Sequence, residues 1–457
     1  MSIEFCYTVD FLGQPDSPNL FSQQLLQNIE DISGTSPVLR IGGNTQDLAQ
    51  YCENCLQAMN STYRPGSTEA INVTFSKSLF KILNENGPSS QEYVFGLNLG
   101  RNNVEIAKAE LTGALAYLNQ SKLIAYELGN EPDHYVWPIV NYRSPATWDM
   151  LAYVKQTMEW LSQLSAGQRF QYGSIATSPT LAGDWTMVQA IKLGIHQLDT
   201  VKIISSHAYP GHVCTSEFAA LVKLENYVNH LNTVQYFSAY IGEIDAAKSV
   251  GLTYHMGETN SAACHGKDGI SNTMGALLWT IDYSLYLASL GADRLFFHNG
   301  VGDFFYSMWE PVALNDSAPA HINPQYYSML LLADVVADLD SPRVYRASHL
   351  DTYDLAHYAI YDGFVLQKLV LLNMHYHNSS TETRPLKSIN VAPVLGKDIK
   401  MKRLTAPNSI AKTGVTWGMQ AVDETGKIAG EEVTETRSDG VVILFASEAV
   451  IVEKNSS

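Results

Sequence analysis

Short apolar runs with the character of β-strands alternate with longer amphipathic stretches through residues 1–340. The strand-like runs cover residues 3–11, 36–41, 92–98, 122–129, 169–176, 201–207, 252–258 and 293–298. Helix-like stretches between them include 20–32, 104–118, 148–164, 218–231 and 274–290. Such alternation predicts βαβ units and a parallel sheet. Eight such strands favour an α/β fold of the (β/α)8 barrel type over an open doubly wound sheet, since no Gly-rich phosphate loop follows the first strand.

The pattern changes after residue 339. Short strands separated by turns are predicted at 356–360, 365–374, 388–391, 415–417 and 440–445. The dipeptides Asp362-Gly363 and Asp439-Gly440 are hairpin turn signals. We therefore predict a catalytic barrel over residues 1–340 and a C-terminal β-sandwich over 341–457, which meet near Pro342.

The composition indicates a folded chain and excludes some classes of binding partner. Hydrophobic residues make up 46% of the 457-residue chain and charged residues 16%, which suits a large core and excludes a disordered chain. A formal net charge of −17 disfavours nucleic acid and long polyanions. No apolar run reaches the roughly 18 residues of a membrane span, and no signal peptide is visible at the start.

The cysteines are Cys6, Cys52, Cys55, Cys214 and Cys264. Cys52 and Cys55 have the CxxC spacing of redox or zinc sites, but local packing or a disulfide to Cys214 fits the context better. We interpret Cys264 as a packed thiol. A metal site at His207, His212 and Cys214 is an alternative whose spacing suits no compact site, so neither metal nor cofactor is predicted. Asn-x-Ser/Thr sequons lie at Asn60, Asn72, Asn119, Asn315, Asn378 and Asn455, which favours a secreted glycoprotein.

Two glutamates close strand-like runs. Glu131 follows Asn130 and precedes Pro132 after the fourth run, and Glu258 ends the seventh. Parallel barrels carry their reacting groups at the C-terminal ends of strands, and glycoside cleavage needs two carboxylates. The alternatives are a solvated loop glutamate at 131 and a helix-capping or ion-paired glutamate at 258. Glu127, four residues before Glu131, is interpreted as a structural ion-pair partner.

The segments around these glutamates resemble glycoside hydrolase family 79, the family of β-glucuronidases and heparanase. They are VLRIGGNT at 38–45, ELGNEP at 127–132, GETNS at 257–261 and LFFHNG at 295–300, and the stretch 257–283 is most similar to fungal members. The resemblance spans the chain and implies a retaining mechanism. By motif position, Glu131 would be the acid/base and Glu258 the nucleophile.

The resemblance also implies that Glu4, Asn44, Asn130 and Tyr209 bind the sugar. For Glu4 and Tyr209 the alternative is packing in the core. For the carboxylate of a uronic acid it implies backbone amides of loop 262–269, where His265 and Gly266 lie, together with Tyr306.

The predicted function is an exo-acting β-glucuronidase-like hydrolase. It would release terminal glucuronic acid, or its 4-O-methyl form, from a glycan outside the cell, with no nucleic acid or membrane partner. The alternatives are a heparanase-like endo-β-glucuronidase, which the negative charge disfavours, and a catalytically silent carbohydrate-binding protein. Family members carry a secretion signal and an N-terminal strand that joins the sandwich, whereas this chain opens on the first barrel strand.

Overall fold

Eight parallel strands form a closed barrel in the computed structural model, which describes residues 1–164, 167–315, 318–378 and 383–455. In chain order these strands, β1 to β8, are Ser2–Glu4, Leu39–Gly42, Tyr93–Leu97, Leu123–Leu128, Phe170–Ile175, Val201–Ala208, Thr253–Thr259 and Arg294–Asn299. Each strand pairs with its neighbours in the chain, and β1 pairs with β8 to close the barrel. The predicted fold class is confirmed.

The barrel strands are largely apolar because helices cover their outer side while side chains fill the interior. Both Tyr93–Leu97 and Phe170–Ile175 are buried at every position. The longer helices around the barrel are Leu20–Ser33, Lys77–Glu85, Val104–Tyr117, Met150–Leu164, Met187–Lys192, His230–Phe237, Ile241–Ser249, Met274–Leu290 and Tyr326–Val336. None of the helices in the described part of the chain has the length and apolar character needed to cross a membrane.

Two predicted elements are wrong. The first strand ends at Glu4, and the rest of the predicted 3–11 run forms a 3-10 turn and the short helix Thr8–Leu12, which ends at Gly13. A Cβ on Gly13 would lie 2.3 Å from the Asn19 backbone nitrogen, so glycine allows the chain to reverse there. The predicted helix at 218–231 is instead broken into short helices, because Asn229 caps a new helix and accepts from the Leu231 amide.

Antiparallel strands form the C-terminal region. They are Pro342–Tyr345, Leu355–Asp362, Val365–Asn373, Leu386–Asn390, Ile399–Thr405, Thr416–Trp417, Glu435–Arg437, Val441–Phe445 and Glu448–Lys454. A seven-stranded sheet faces the pair Leu386–Asn390 and Val441–Phe445, and a second apolar cluster packs between them. The predicted hairpin at Asp362-Gly363 is present. The hairpin predicted at Asp439-Gly440 is wrong, because the strands on either side of it pair with different partners. Two central strands, Ile399–Thr405 and Glu448–Lys454, were not predicted. Lysine and arginine interrupt the apolar pattern of the first, whereas the second contains the clear apolar run Ala449–Val452 and was simply missed. The division at residue 340 stays a prediction.

A buried contact joins the C-terminal sheet to the barrel. Tyr358 donates to Asp282 Oδ1 at 2.6 Å, and His230 Nδ1 lies 2.8 Å from the same oxygen. Asp282 lies on the helix Met274–Leu290, which is buried on nearly every side because the barrel covers one face and the sheet contacts another. The sheet therefore supports the helix that follows β7.

A small three-stranded sheet is inserted after β2. Its strands are Ala49–Tyr51, Met59–Tyr63 and Ala70–Phe75. Within it Cys52 and Cys55 form a disulfide, so the predicted pairing of this motif with Cys214 is wrong. Cys214 instead pairs with Cys264 and links the loops after β6 and β7, which also corrects the interpretation of Cys264 as a thiol. Cys6 is a buried free thiol.

Candidate active site

Glu131 lies on a turn with unusual backbone angles at the end of β4. Gly129 has φ +83° and Glu131 itself has φ +50°. A Cβ on Gly129 would lie 2.6 Å from the Tyr135 hydroxyl, so only glycine fits. Pro132 opens the short 3-10 helix that follows. A non-glycine residue in the left-handed region costs on the order of 1–3 kcal/mol and often marks a functional site.

Two histidines contact the Glu131 carboxylate. His134 Nδ1 lies 3.1 Å from Oε2, and His207 Nδ1, near the end of β6, lies 3.1 Å from Oε1. Burial alone would raise the pKa of Glu131, but the hydrogen bonds and charges of the two histidines outweigh it and hold that pKa below its ordinary range. Glu131 is therefore ionised near neutral pH.

Glu258 lies near the end of β7 with both carboxylate oxygens engaged. Arg40 Nη1 donates to Oε2 at 2.7 Å, and the Tyr209 hydroxyl donates to Oε1 at 2.8 Å. The preceding residue, Gly257, must lack a side chain, because a Cβ there would lie 2.0 Å from Ser205 Oγ. The close approach of β6 and β7 therefore fixes where Glu258 leaves the strand.

The charges around Glu258 favour its ionised form. Burial would raise its pKa, but the positive charges of His298, His207 and Arg40 hold the pKa of Glu258 below its ordinary range. Across the barrel mouth lies Glu131: ligand atoms of Glu131, His207 and Glu258 all come within 4.8 Å of one another. Two carboxylates from different strands thus face the same small space.

Arg40, on β2, organises the floor of this site. It is fully buried and donates through Nε to Glu127 Oε2 at 2.7 Å. Its Nη2 donates to Asn130 Oδ1 at 2.8 Å, and its Nη1 also contacts Ser2 Oγ at 3.0 Å. Glu127 is an ion-pair partner of Arg40, in keeping with its interpretation as a structural residue.

Glu4, at the end of β1, holds the loop after β2. Its Oε1 accepts from the Thr45 amide at 2.9 Å and from the Thr45 hydroxyl, and its Oε2 lies 3.3 Å from His298 Nε2. A Cβ on Gly43 would lie 2.5 Å from Glu4 Oε2. Burial lowers the pKa of His298, but Glu258 and Glu4 outweigh it, so the net pKa is raised. His298 therefore links the carboxylates of Glu4 and Glu258.

Asn44 and Asn130 meet beside this floor. Asn130 Nδ2 donates to Asn44 Oδ1 at 3.1 Å, and Asn44 is exposed at the mouth. Below them Asp47 accepts from the Asn130 amide at 3.0 Å and from the Tyr135 hydroxyl at 2.6 Å. Asp47 therefore ties the loop after β2 to the loop that carries Glu131.

Tyr209 and Tyr306 stand side by side with ring centroids 6.3 Å apart. Burial and the Glu258 charge raise the pKa of both phenols, so both are neutral donors. Gly266 lies against Tyr306, since a Cβ on it would be 3.0 Å from the tyrosine ring. The Gly266 amide donates to the Ala262 carbonyl at 3.0 Å and is therefore engaged within its own loop.

His265 connects two distant loops. Its Nε2 lies 3.0 Å from Glu69 Oε1, on the insertion after β2, and its ring stacks on Phe304 with centroids 3.9 Å apart. In the barrel order, β8 and β1 lie between β7 and β2. The contact of Glu69 with His265, which we call the bridge, therefore joins loops on either side of these two strands.

Within the described ranges, one group of side chains is arranged closely enough to hold a metal ion, namely Glu131, His207 and Glu258. A cation there would lie next to the Arg40 guanidinium, which already neutralises Glu258. The alternative site at His207, His212 and Cys214 loses its thiol, because Cys214 is in a disulfide. The absence of a metal stays a prediction.

The sequence is similar to known proteins over most of its length. A β-glucuronidase of Neurospora crassa is 30% identical over 468 residues, which cover 91% of this chain and 82% of that protein. The chain belongs to glycoside hydrolase family 79. A β-glucuronidase of Aspergillus niger is 29% identical and covers 91% of this chain, with 81% of the relative matched. The predicted family and enzyme class, a β-glucuronidase-like glycoside hydrolase, are confirmed.

The C-terminal region and the fold agree with this family. Residues 357–451 match the family model described as the glycosyl hydrolase family 79 C-terminal beta domain. A solved structure of a 4-O-α-L-rhamnosyl-β-D-glucuronidase from Fusarium oxysporum 12S, in complex with Rha-GlcA, superposes with a TM-score of 0.83. It is 26% identical and covers 99% of this chain and 95% of its own.

The family 79 motifs pointed to only part of this site. Glu131, Glu258, Glu4, Asn130, Tyr209 and Tyr306 gather at one end of the barrel, whereas His265 is engaged in the bridge. Sequence reasoning gave no role to Arg40, Asp47, His134 and His298, although Arg40 and His298 stand inside motifs that identified the family. For Arg40 and His298 the available signal was their position in buried strand-like runs, because a charged residue there needs a partner.

Proposed function

We propose that this protein is a retaining, exo-acting β-glucuronidase that releases terminal glucuronic acid or its 4-O-methyl form from glycans. The observation that carries the proposal is the approach of the Glu131 and Glu258 carboxylates across the barrel mouth, with oxygen atoms within 4.8 Å. Retaining enzymes hold their carboxyl groups about 5–5.5 Å apart, and inverting ones about 6.5–9.5 Å apart to admit a water. The short distance supports the retaining mechanism.

In this mechanism Glu258 attacks the anomeric carbon while Glu131 protonates the leaving oxygen. A covalent glycosyl-enzyme forms, and Glu131 then removes a proton from the water that hydrolyses it. Arg40 and Tyr209 orient the two oxygens of Glu258. These contacts and the nearby charges keep Glu258 ionised, which is the form in which a carboxylate acts as a nucleophile.

Recognition of the uronic acid is proposed from the named relatives and from the donors near the site. The Tyr306 phenol is a neutral donor that can bind a carboxylate through a charge-assisted hydrogen bond. Loop amides other than that of Gly266 would complete the contact, because the Gly266 amide is engaged. We propose that Glu4, Asn44, Asn130 and Tyr209 line the sugar site, and that His265 acts through the bridge.

Exo action is supported by the bridge. Because Glu69 meets His265 across β8 and β1, the bridge would obstruct a polymer that runs past Glu4 and His298. Neither the loop 142–148 nor the segment after β6 provides this contact. Arg143 of that loop instead donates to carbonyls of the loop after β3.

An extracellular location and a glycan substrate are part of the proposal. The two disulfides suit an oxidising compartment. Among the sequons in the described ranges, Asn60 and Asn119 begin triplets at partly or fully exposed positions. The sequons at Asn315, Asn378 and Asn455 extend outside the described residues.

A panel of aryl β-glycosides tests the function. The glucuronide, glucoside, galactoside and xyloside should be assayed in parallel with the Glu258→Ala variant, which controls for contaminating activity. We expect the glucuronide to have the highest kcat/KM. Faster turnover of a neutral glycoside would overturn the proposed specificity, and no turnover at all would favour a silent carbohydrate-binding protein.

A further inference from the structure

Trp137 presents a large apolar surface next to the proposed general acid. Its side chain is 48% exposed. One face of the indole stacks on His134 with ring centroids 3.5 Å apart and planes at 25°. Since His134 Nδ1 lies 3.1 Å from Glu131 Oε2, a single imidazole ring separates the indole from the acid.

The backbone holds this tryptophan in place. The Trp137 amide donates to the His134 carbonyl at 2.9 Å, and the Trp137 carbonyl accepts from the amides of Val140 and Asn141 at 2.9 and 2.7 Å. His134 is fixed in turn between Glu131 and Asp133, whose Oδ2 lies 3.6 Å from His134 Nε2. A preorganised aromatic side chain loses little conformational entropy when a ligand stacks on it.

The leaving group has to occupy this side of the mouth. The acid must contact the glycosidic oxygen, which joins the glucuronic acid to the rest of the substrate. On the far side from Glu131, the bridge of Glu69 and His265 joins the loops after β2 and β7 across β8 and β1. The group beyond the glycosidic oxygen therefore extends from Glu131 towards the loop that carries Trp137.

We propose that Trp137 is the platform of a leaving-group subsite that binds a flat apolar face, an inference that rests on the proposed function. Two kinds of leaving group present such a flat apolar face: an aromatic aglycone, and a sugar ring that presents its C–H bonds. Both stack on indole. Trp137 is thus a specificity-determining residue on the leaving-group side.

The test compares Trp137→Ala with the wild-type protein on three substrates: naphthyl β-glucuronide, a disaccharide with glucuronic acid linked to galactose, and β-glucuronyl fluoride. We expect kcat/KM to fall about tenfold, equivalent to about 1.4 kcal/mol, mainly through KM, on at least one of the first two. A loss of kcat/KM on the naphthyl substrate alone identifies an aromatic aglycone as the group that stacks on Trp137. A loss on the disaccharide alone identifies a sugar as that group. The fluoride has no ring to stack and should change less than about twofold.

Two further variants sharpen the result. Trp137→Phe keeps an aromatic face and should recover most of the lost kcat/KM. Ile139→Ala changes a residue of the same loop that is 86% exposed and should leave all three substrates unaffected. An equal loss on the fluoride would mean that Trp137 only positions His134, and no loss on any substrate would also overturn the inference. If the wild-type protein cleaves no glucuronide, the proposed function fails and this inference with it.

Discussion

Arg40 and Glu258 form a buried ion pair at 2.7 Å, with the arginine side chain fully inaccessible and the glutamate 8% exposed. The same guanidinium pairs with Glu127 at 2.6 Å on its other side. One cation thus neutralises a structural carboxylate and the proposed nucleophile together. The arginine fork is suited to this because its donors point in fixed directions.

The variant Arg40→Lys should be less stable and nearly inactive. Lysine keeps the charge but cannot reach Glu127, Asn130 and Glu258 together, so buried acceptors lose their partners. We expect the free energy of unfolding to fall by about 1–3 kcal/mol in urea titrations. The control is Arg437→Lys, at an exposed pair with Asp439, where the change should stay within about 0.5 kcal/mol. Equal stability of the two variants would contradict the role given to Arg40.

Alanine variants of the two glutamates should differ in their kinetics. Glu258→Ala should abolish turnover of aryl glucuronides, and azide should partly restore it to give a product of inverted configuration. Glu131→Ala should spare good leaving groups far more than poor ones, because only the latter need the acid. Proton NMR of the first product of the wild-type protein should show the β-anomer. An initial α-anomer, or normal activity of either variant on a poor leaving group, would refute the assignment.

The activity should be highest in acid. Glu131 must be protonated to act as the acid, and its pKa is held below the ordinary value of about 4.3. As pH rises through that lowered pKa, the protonated form and kcat/KM on a poor leaving group should therefore decline. His207→Asn removes one of the contacts that lower this pKa, so the basic limb of the profile should move to higher pH. An unchanged or lower limb would show that His207 does not control Glu131.

Tyr306→Phe tests the recognition of the uronic acid. Loss of a hydrogen bond to a charged group should lower kcat/KM on the glucuronide. The lost transition-state stabilisation should be about 1–3 kcal/mol. The weaker activity on the glucoside should change little, since it has no carboxylate. The variant keeps the ring that packs against Gly266, which limits structural effects. Equal losses on both substrates would mean that Tyr306 is structural.

Exo and endo action are separated by the products from heparan sulfate. A protein of net charge −17 repels a polyanion at long range, and the bridge joins the loops after β2 and β7 across β8 and β1. We expect free glucuronic acid from short neutral oligosaccharides capped by that sugar, and no shortening of heparan sulfate on size-exclusion chromatography. Mid-chain fragments at low enzyme concentration would favour the heparanase-like alternative.

The sequence by itself determined the barrel and the position of the two glutamates. Strand-like runs such as 92–98 carry their own signal, because a parallel strand buried on both faces is mostly apolar. Glu131 and Glu258 stand out because each closes such a run. The hairpin signal Asp362-Gly363 acts within a few residues and predicted its turn correctly.

The tertiary structure alone decided what surrounds the glutamates. Arg40 meets Glu127 and Glu258 only when β2, β4 and β7 lie in one closed barrel. The bridge between Glu69 and His265 and the disulfide between Cys214 and Cys264 likewise join loops that are distant in the chain. A single sequence displays periodicity and turn chemistry, which are local. It does not display which buried charge meets which partner, because that depends on the closure of the barrel.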